Sequence, residues 1–193
     1  YHTTISFIHT GYIGTDEEKA RKIKRNIDLL EAELEKNPED VYIWFQIGKG
    51  YYMGKDYENA CKYFGKALEF DVDESLDYVQ DLVESYGYSL VNTKQYEMAY
   101  SLLQVTYDAF ARTADYHFLA GLIYMQNAMF EDAVKEFLLA TKNERVCVVG
   151  ANSYKAFYNI GVIYECLGDK KNARLYYEKC GCYDLAKERL KEV

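Results

Sequence analysis

Apolar residues recur at helical spacing along most of the chain. Ile23, Ile27, Leu30 and Leu34 mark one face of a first helix, and Pro38 ends it. Thr15 and Glu18 have the spacing of a capping box, with acidic Asp16 and Glu17 in the first turn. Residues 41–53 and 57–70 then read as an antiparallel helix pair, and three more pairs follow. Leu185, Ala186 and Leu190 predict a short last helix that covers the end of the stack. One segment breaks the period: along residues 3–9, Ile5, Phe7 and His9 alternate with Thr4, Ser6 and Ile8, as in a strand. The only other β-like run is 146–149, so the first strand has no clear partner and reads as the severed edge of something larger.

A glycine precedes an alanine by twelve residues four times: Gly48 and Ala60, Gly87 and Ala99, Gly121 and Ala133, Gly161 and Ala173. Interior glycine costs a helix about 0.5–1 kcal/mol relative to alanine, so glycines in one register imply close helix approach. Trp44, Ile47, Gly48, Tyr51, Tyr57, Ala60, Phe64 and Ala67 complete a unit of about 34 residues that resembles the tetratricopeptide repeat. The expected fold is therefore all-α, an α-α superhelix with a short N-terminal extended segment at 1–14. The solenoid is expected over 15–193: a capping helix at 15–37, repeats at about 41–74, 80–112, 114–147 and 154–182, and a last helix at 183–193. The marker alanines lie 39, 34 and 40 residues apart, which places inserted loops near 72–76 and 144–152.

A net charge of −8 argues against a sequence-independent nucleic-acid binder, which needs a basic surface. No apolar run reaches the roughly 18–20 residues of a membrane span, and signal-peptide features are absent. The odd count of five cysteines points to a reducing, cytoplasmic setting, with Cys61 and Cys180 as small buried thiols. The Cys180-Gly181-Cys182 pair also has the means to ligate metal or form a strained bridge. His2, His9 and His117 are scattered, and no nucleophile has a recognisable base, so the chain itself carries no catalytic centre, metal site or cofactor. The run Lys19, Arg21, Lys22, Lys24 and Arg25 reads as a solvated helix face.

In the repeat that this chain resembles, certain first-helix positions line a concave groove. Here they select Tyr42, Phe45, Lys49 and Tyr52 from the first unit, and Tyr88 from the second with Asp81 and Glu84. Phe118, Leu122 and Met125 come from the third with Asp115, and Tyr158 and Val162 from the fourth. Phe45 stands where members that clamp acidic chaperone tails need a polar residue, which disfavours that role. The 21 tyrosines serve two uses, consensus packing and a partner surface of rigid amphipathic rings. A protein or peptide in the groove, or a homodimer, is the expected partner, with no nucleic acid.

Ile8-His9-Thr10-Gly11-Tyr12, Lys24-Arg25-Asn26 with Leu29-Leu30, and Asn37-Pro38 look like the junction where bacterial family 2 glycosyltransferases enter a C-terminal tetratricopeptide region. Asn152-Ser153-Tyr154, Tyr158-Asn159-Ile160-Gly161, Tyr164-Glu165 and Leu167-Gly168 are similar to the last repeat of those proteins. The resemblance implies an upstream GT-A catalytic domain holding a nucleotide sugar and a divalent metal. This chain would then be its non-catalytic arm, positioning an acceptor or building a dimer. His9 would belong to the active-site edge, or else be a strand residue beside a domain boundary. The alternative is a free-standing scaffold or adaptor without an enzyme domain.

Overall fold

The computed structural model describes residues 15–144 and 146–193; the expected strand at 3–9, with His9, lies outside them. The described residues are all-α, with ten helices and no strand. They are α1 (Asp16–Leu34), α2 (Val41–Met53), α3 (Tyr57–Ala67), α4 (Asp77–Asn92), α5 (Tyr96–Phe110), α6 (Ala114–Gln126), α7 (Phe130–Ala140), α8 (Tyr154–Cys166), α9 (Lys170–Glu178) and α10 (Asp184–Arg189). The chain divides into two compact units, one ending at Asp71 and the other running from Val72 to Val193.

The first unit holds α1 to α3. Thr15 Oγ1 accepts from the Glu18 amide at 3.2 Å, and Glu18 Oε2 accepts from the Thr15 amide at 3.0 Å, which completes the capping box. Asp40 caps α2 by accepting from the amides of Tyr42 and Ile43, and Asp56 caps α3 through Asn59. Ile27 and Leu34 of α1 meet Ile43 and Ile47 of α2 in a buried cluster flanked by Trp44, Tyr51 and Tyr63. Trp44 Nε1 donates to the Pro38 carbonyl at 2.8 Å, so the ring of the next helix seals the chain where α1 has ended.

The second unit holds α4 to α10. Its first helix starts at Asp77, three residues before the expected 80, after a loop that ends with Asp73 accepting from Ser75. The two expected insertions are loops, and 146–149 forms bends and turns rather than a strand.

One turn joins the two helices of every pair. The amides of Asp56, Gln95, Met129 and Asp169 donate to the carbonyls of Tyr51, Leu90, Tyr124 and Tyr164 at 2.9–3.0 Å. This is the wide bond of a Schellman motif, which requires a left-handed residue just past the helix. Lys55, Lys94, Ala128 and Gly168 occupy it, with φ of 62°, 61°, 58° and 77°.

The interior glycines are there because aromatic rings lie on them. A Cβ on Gly48 would stand 2.6 Å from the Phe64 ring, on Gly121 2.6 Å from Phe137, and on Gly161 2.5 Å from Tyr177. Gly87 differs: its close neighbour is Leu119 of α6, at 2.8 Å.

Candidate functional site

The groove positions fall into three places. In the first unit Tyr42 is exposed, Lys49 Nζ lies 5.4 Å from the Tyr52 ring, and Tyr52 meets Tyr57 edge-on at 5.7 Å. In the second unit Tyr88, Leu122 and Met125 pack, half-buried, on a cluster formed by Phe118, Phe137, Ala156 and Ile160. Tyr158 and Val162 join a separate cluster with Tyr177 and Cys180, where Tyr158 sits 5.7 Å from Tyr177 and 5.4 Å from Tyr183.

Two expected contact residues need correction. Phe45 and Phe118 are only 4% and 5% exposed, so their rings are core and offer nothing to a partner directly. Phe45 lies 6.4 Å from Phe64, and Phe118 lies 5.5 Å from Phe137. An aromatic side chain at a groove position reads alike in sequence whether it lies open or is covered.

The second insertion packs on the cluster that contains Phe118. Residues 114–121 of α6 are all buried, although a helix open to a groove would leave one side wet. The buried Asp115 carboxylate accepts two consecutive amides of the loop, Cys147 to Oδ2 at 2.8 Å and Val148 to Oδ1 at 2.7 Å. Val146 and Val148 are half-buried against the cluster that contains Phe118. Asn152 Nδ2 ties the base of the loop by donating to the carbonyls of Asn143 at 2.9 Å and Glu144 at 3.3 Å. The excess spacing between Ala133 and Ala173 locates this strap; no signal in the sequence says where it docks.

The corner under the strap is acidic. Asp115 first, then burial, Glu84 and Asp81 push the Cys147 thiol above its ordinary range, so the exposed thiol is disfavoured as thiolate. On the other side of α6, buried Glu136 accepts from the Tyr107 hydroxyl at 2.7 Å and lies 2.7 Å from His117 Nδ1. Burial, and then Glu136, hold the Tyr107 hydroxyl far above its ordinary range. His117 is thus a buried structural partner of Glu136.

Among the described residues, no group of three or more histidine, cysteine, aspartate or glutamate side chains is arranged to hold a metal ion. All five cysteines are free. Burial pushes the Cys180 thiol up to about 11, and its Sγ lies 3.3 Å from the carbonyls of Tyr154 and Tyr176. No helix among the described residues is long and apolar enough to cross a membrane.

Residues 42–71 and 154–180 match models of the tetratricopeptide repeat. Over 166 residues, 77% of this chain, the sequence is 30% identical to the regulatory protein RapC of Bacillus subtilis (strain 168). The chain spans 41% of the length of that relative. The fold is similar to YrrB, a tetratricopeptide protein with an unusual peptide-binding site, with a TM-score of 0.75 and 21% identity over 91% of this chain and 87% of that one. It is also similar to MamA, with a TM-score of 0.69 and 18% identity over 94% and 99% of the two chains. A MamA fragment from Desulfovibrio magneticus RS-1 gives 0.68 and 18% over 90% and 96%. The helix pairs are therefore those of a tetratricopeptide-repeat region.

Proposed function

We propose that this chain is a protein-interaction module that holds an extended peptide segment of a partner on the groove side of its 72–193 unit. The observation that carries the reading is the gathering of Tyr88, Leu122 and Met125 on one cluster, bordered by the acidic corner of Asp81, Glu84 and Asp115. Rings and long flexible side chains bury area at low entropic cost, and the carboxylates favour a partner with basic residues near its apolar anchors. The structural likeness to YrrB, a protein with a peptide-binding site, supports the same use. Its role is then binding rather than catalysis, in a cytoplasmic setting.

A peptide array followed by calorimetry tests this. A hit should bind at least tenfold more weakly to the Tyr88→Glu and Met125→Glu variants while their helical circular dichroism stays unchanged. A folded chain that binds no array peptide, or variants that bind as tightly as the parent, would overturn it. Light scattering shows whether a second copy occupies the surface instead.

The resemblance at residues 8–12, 24–38 and 152–168 favours a second reading, in which the module is the arm of a family 2 glycosyltransferase. Nucleotide sugar and divalent metal would then belong to the upstream domain. Reading the gene upstream of Tyr1 tests it: a strand-helix region with a DxD acidic pair supports the arm, and any other reading frame removes it. Likeness to RapC, a regulatory protein, supports instead the alternative of a free-standing scaffold or adaptor.

A further inference from the structure

The C-terminal end of α1 carries charge of the wrong sign for a helix. Unpaired carbonyls converge there and favour cations, yet the last turn holds Glu31 and Glu33, the cap is Glu35, and no basic residue stands in that turn. Lys36 answers Glu33, at 2.9 Å. Glu31 and Glu35 lie one turn apart on the same side of the helix, where like charges repel, and join no ion pair among the described residues. Both line an open recess of about 380 Å³ inside the unit that ends at Asp71. Leu34 of α1, Trp44 of α2, and Lys62 and Tyr63 of α3 complete its lining.

The rings of this recess are fixed in place. Trp44 lies 5.6 Å from Tyr63 at an interplanar angle of 41°, and its Nε1 is committed to the Pro38 carbonyl. Tyr63 stacks on Tyr51 at 5.3 Å. Both tyrosine hydroxyls donate to Glu31 Oε1, Tyr63 at 2.6 Å and Tyr51 at 3.5 Å, so the carboxylate is held beside the rings and its Oε2 is left for an outside donor. One cation already rests on this lining: Lys62 Nζ stands 5.7 Å from the centre of the Tyr63 ring, at the end of an exposed side chain.

We propose that this recess is a binding site for an arginine side chain of a partner protein, its guanidinium laid on the Trp44 and Tyr63 rings and its N–H groups donated to Glu31 and Glu35. Two carboxylates and two ring faces complement a cation, and arginine suits them better than lysine. Its planar group stacks on aromatic faces, is more weakly hydrated than an ammonium, and offers donors to two carboxylates at once. Lys62 is the internal competitor that the incoming guanidinium displaces from the Tyr63 ring. The site lies in the other unit from Tyr88, Leu122 and Met125, so it goes beyond the peptide-binding reading and stands or falls without it.

Trp44 is the only tryptophan of the chain, so its indole N–H resonance reports on this recess alone. The probe is acetyl-Gly-Arg-Gly-amide, titrated into the full chain at constant ionic strength beside the same peptide with citrulline, the neutral isostere, or lysine in place of arginine. The arginine peptide should move the resonance saturably, with a Kd about tenfold below that of the citrulline peptide and about threefold below that of the lysine peptide. Glu35→Gln should weaken arginine binding about threefold, and Lys62→Ala should tighten it about twofold by removing the competitor. Both positions are exposed, so neither change threatens the fold, and an unchanged spectrum away from the recess confirms that. No saturable shift, citrulline binding as tightly as arginine, or Glu35→Gln binding like the parent overturns the site. Lysine binding as tightly as arginine overturns the assignment to arginine, and a Lys62→Ala variant that binds more weakly overturns the competition.

Discussion

Tyrosine hydroxyls in this protein repeatedly end on carboxylates. Tyr63 donates to Glu31 at 2.6 Å and Tyr107 to Glu136 at 2.7 Å, and Tyr177 donates to Glu165. Burial, then the neighbouring carboxylate, hold all three hydroxyls neutral far above their ordinary range. Burial likewise pushes Tyr116 up to about 12 from the usual 10.0. A pKa raised in the folded state stabilises the fold fully below pH 10.0 and loses that contribution as pH climbs through about 12. Ultraviolet titration should therefore show exposed tyrosines ionising first and a second group ionising together with loss of helix near pH 12; one step with the fold retained would contradict the assignment. Cys147 offers a second test at this scale. Asp115 is the first cause of its raised pKa, so Asp115→Asn should speed iodoacetamide labelling of Cys147 at pH 7.5, and an unchanged rate would contradict the assignment. Buried Cys180, near 11, should remain the slower of the two in both proteins.

At the scale of the element, the four turns share one geometry but not one residue. Gly168 adopts its left-handed φ of 77° without cost, whereas Ala128 holds φ 58° against the strain of its Cβ. Ala128→Gly should thus stabilise the chain by up to about 1 kcal/mol in denaturant unfolding, and destabilisation would show that glycine's extra unfolded-state entropy outweighs the relief. The helix interfaces give the opposite sign. An alanine at position 121 would bring Cβ to 2.6 Å from the Phe137 ring, so Gly121→Ala should cost about 1–3 kcal/mol. Combining it with Phe137→Leu should cost less than the sum of the two single changes, because the smaller side chain removes the clash.

For the whole molecule, charge is the quantity that decides among partners. A net charge of −8 repels phosphate backbones, so no duplex DNA should be shifted in an electrophoretic assay at physiological salt. A peptide flanked by lysine or arginine should bind faster than its neutral counterpart, with an on-rate that falls as salt rises. Equal rates at low and high salt would show that the acidic corner takes no part in encounter.

Much of this was legible in the chain before any coordinates. Helical period, the Thr15 and Glu18 box, the Gly-to-Ala register and the excess spacing before Ala173 are local patterns, and each states a helix, a cap or a loop where one is found. The buried thiols at Cys61 and Cys180 followed from that register too. What the strap does was not legible: Asp115 meets Cys147 and Val148 from 32 and 33 residues away, and a carboxylate's partner at that distance depends on how the intervening helices pack. The same holds for Phe118, a groove residue by its register that is core in the structure, packed with Phe137, and for Glu136, which unites Tyr107 and His117 across three helices. Periodicity encodes which face of a helix is apolar. Only the tertiary structure decides what lies upon that face, because burial and hydrogen-bond pairing are settled by contacts between segments distant in sequence.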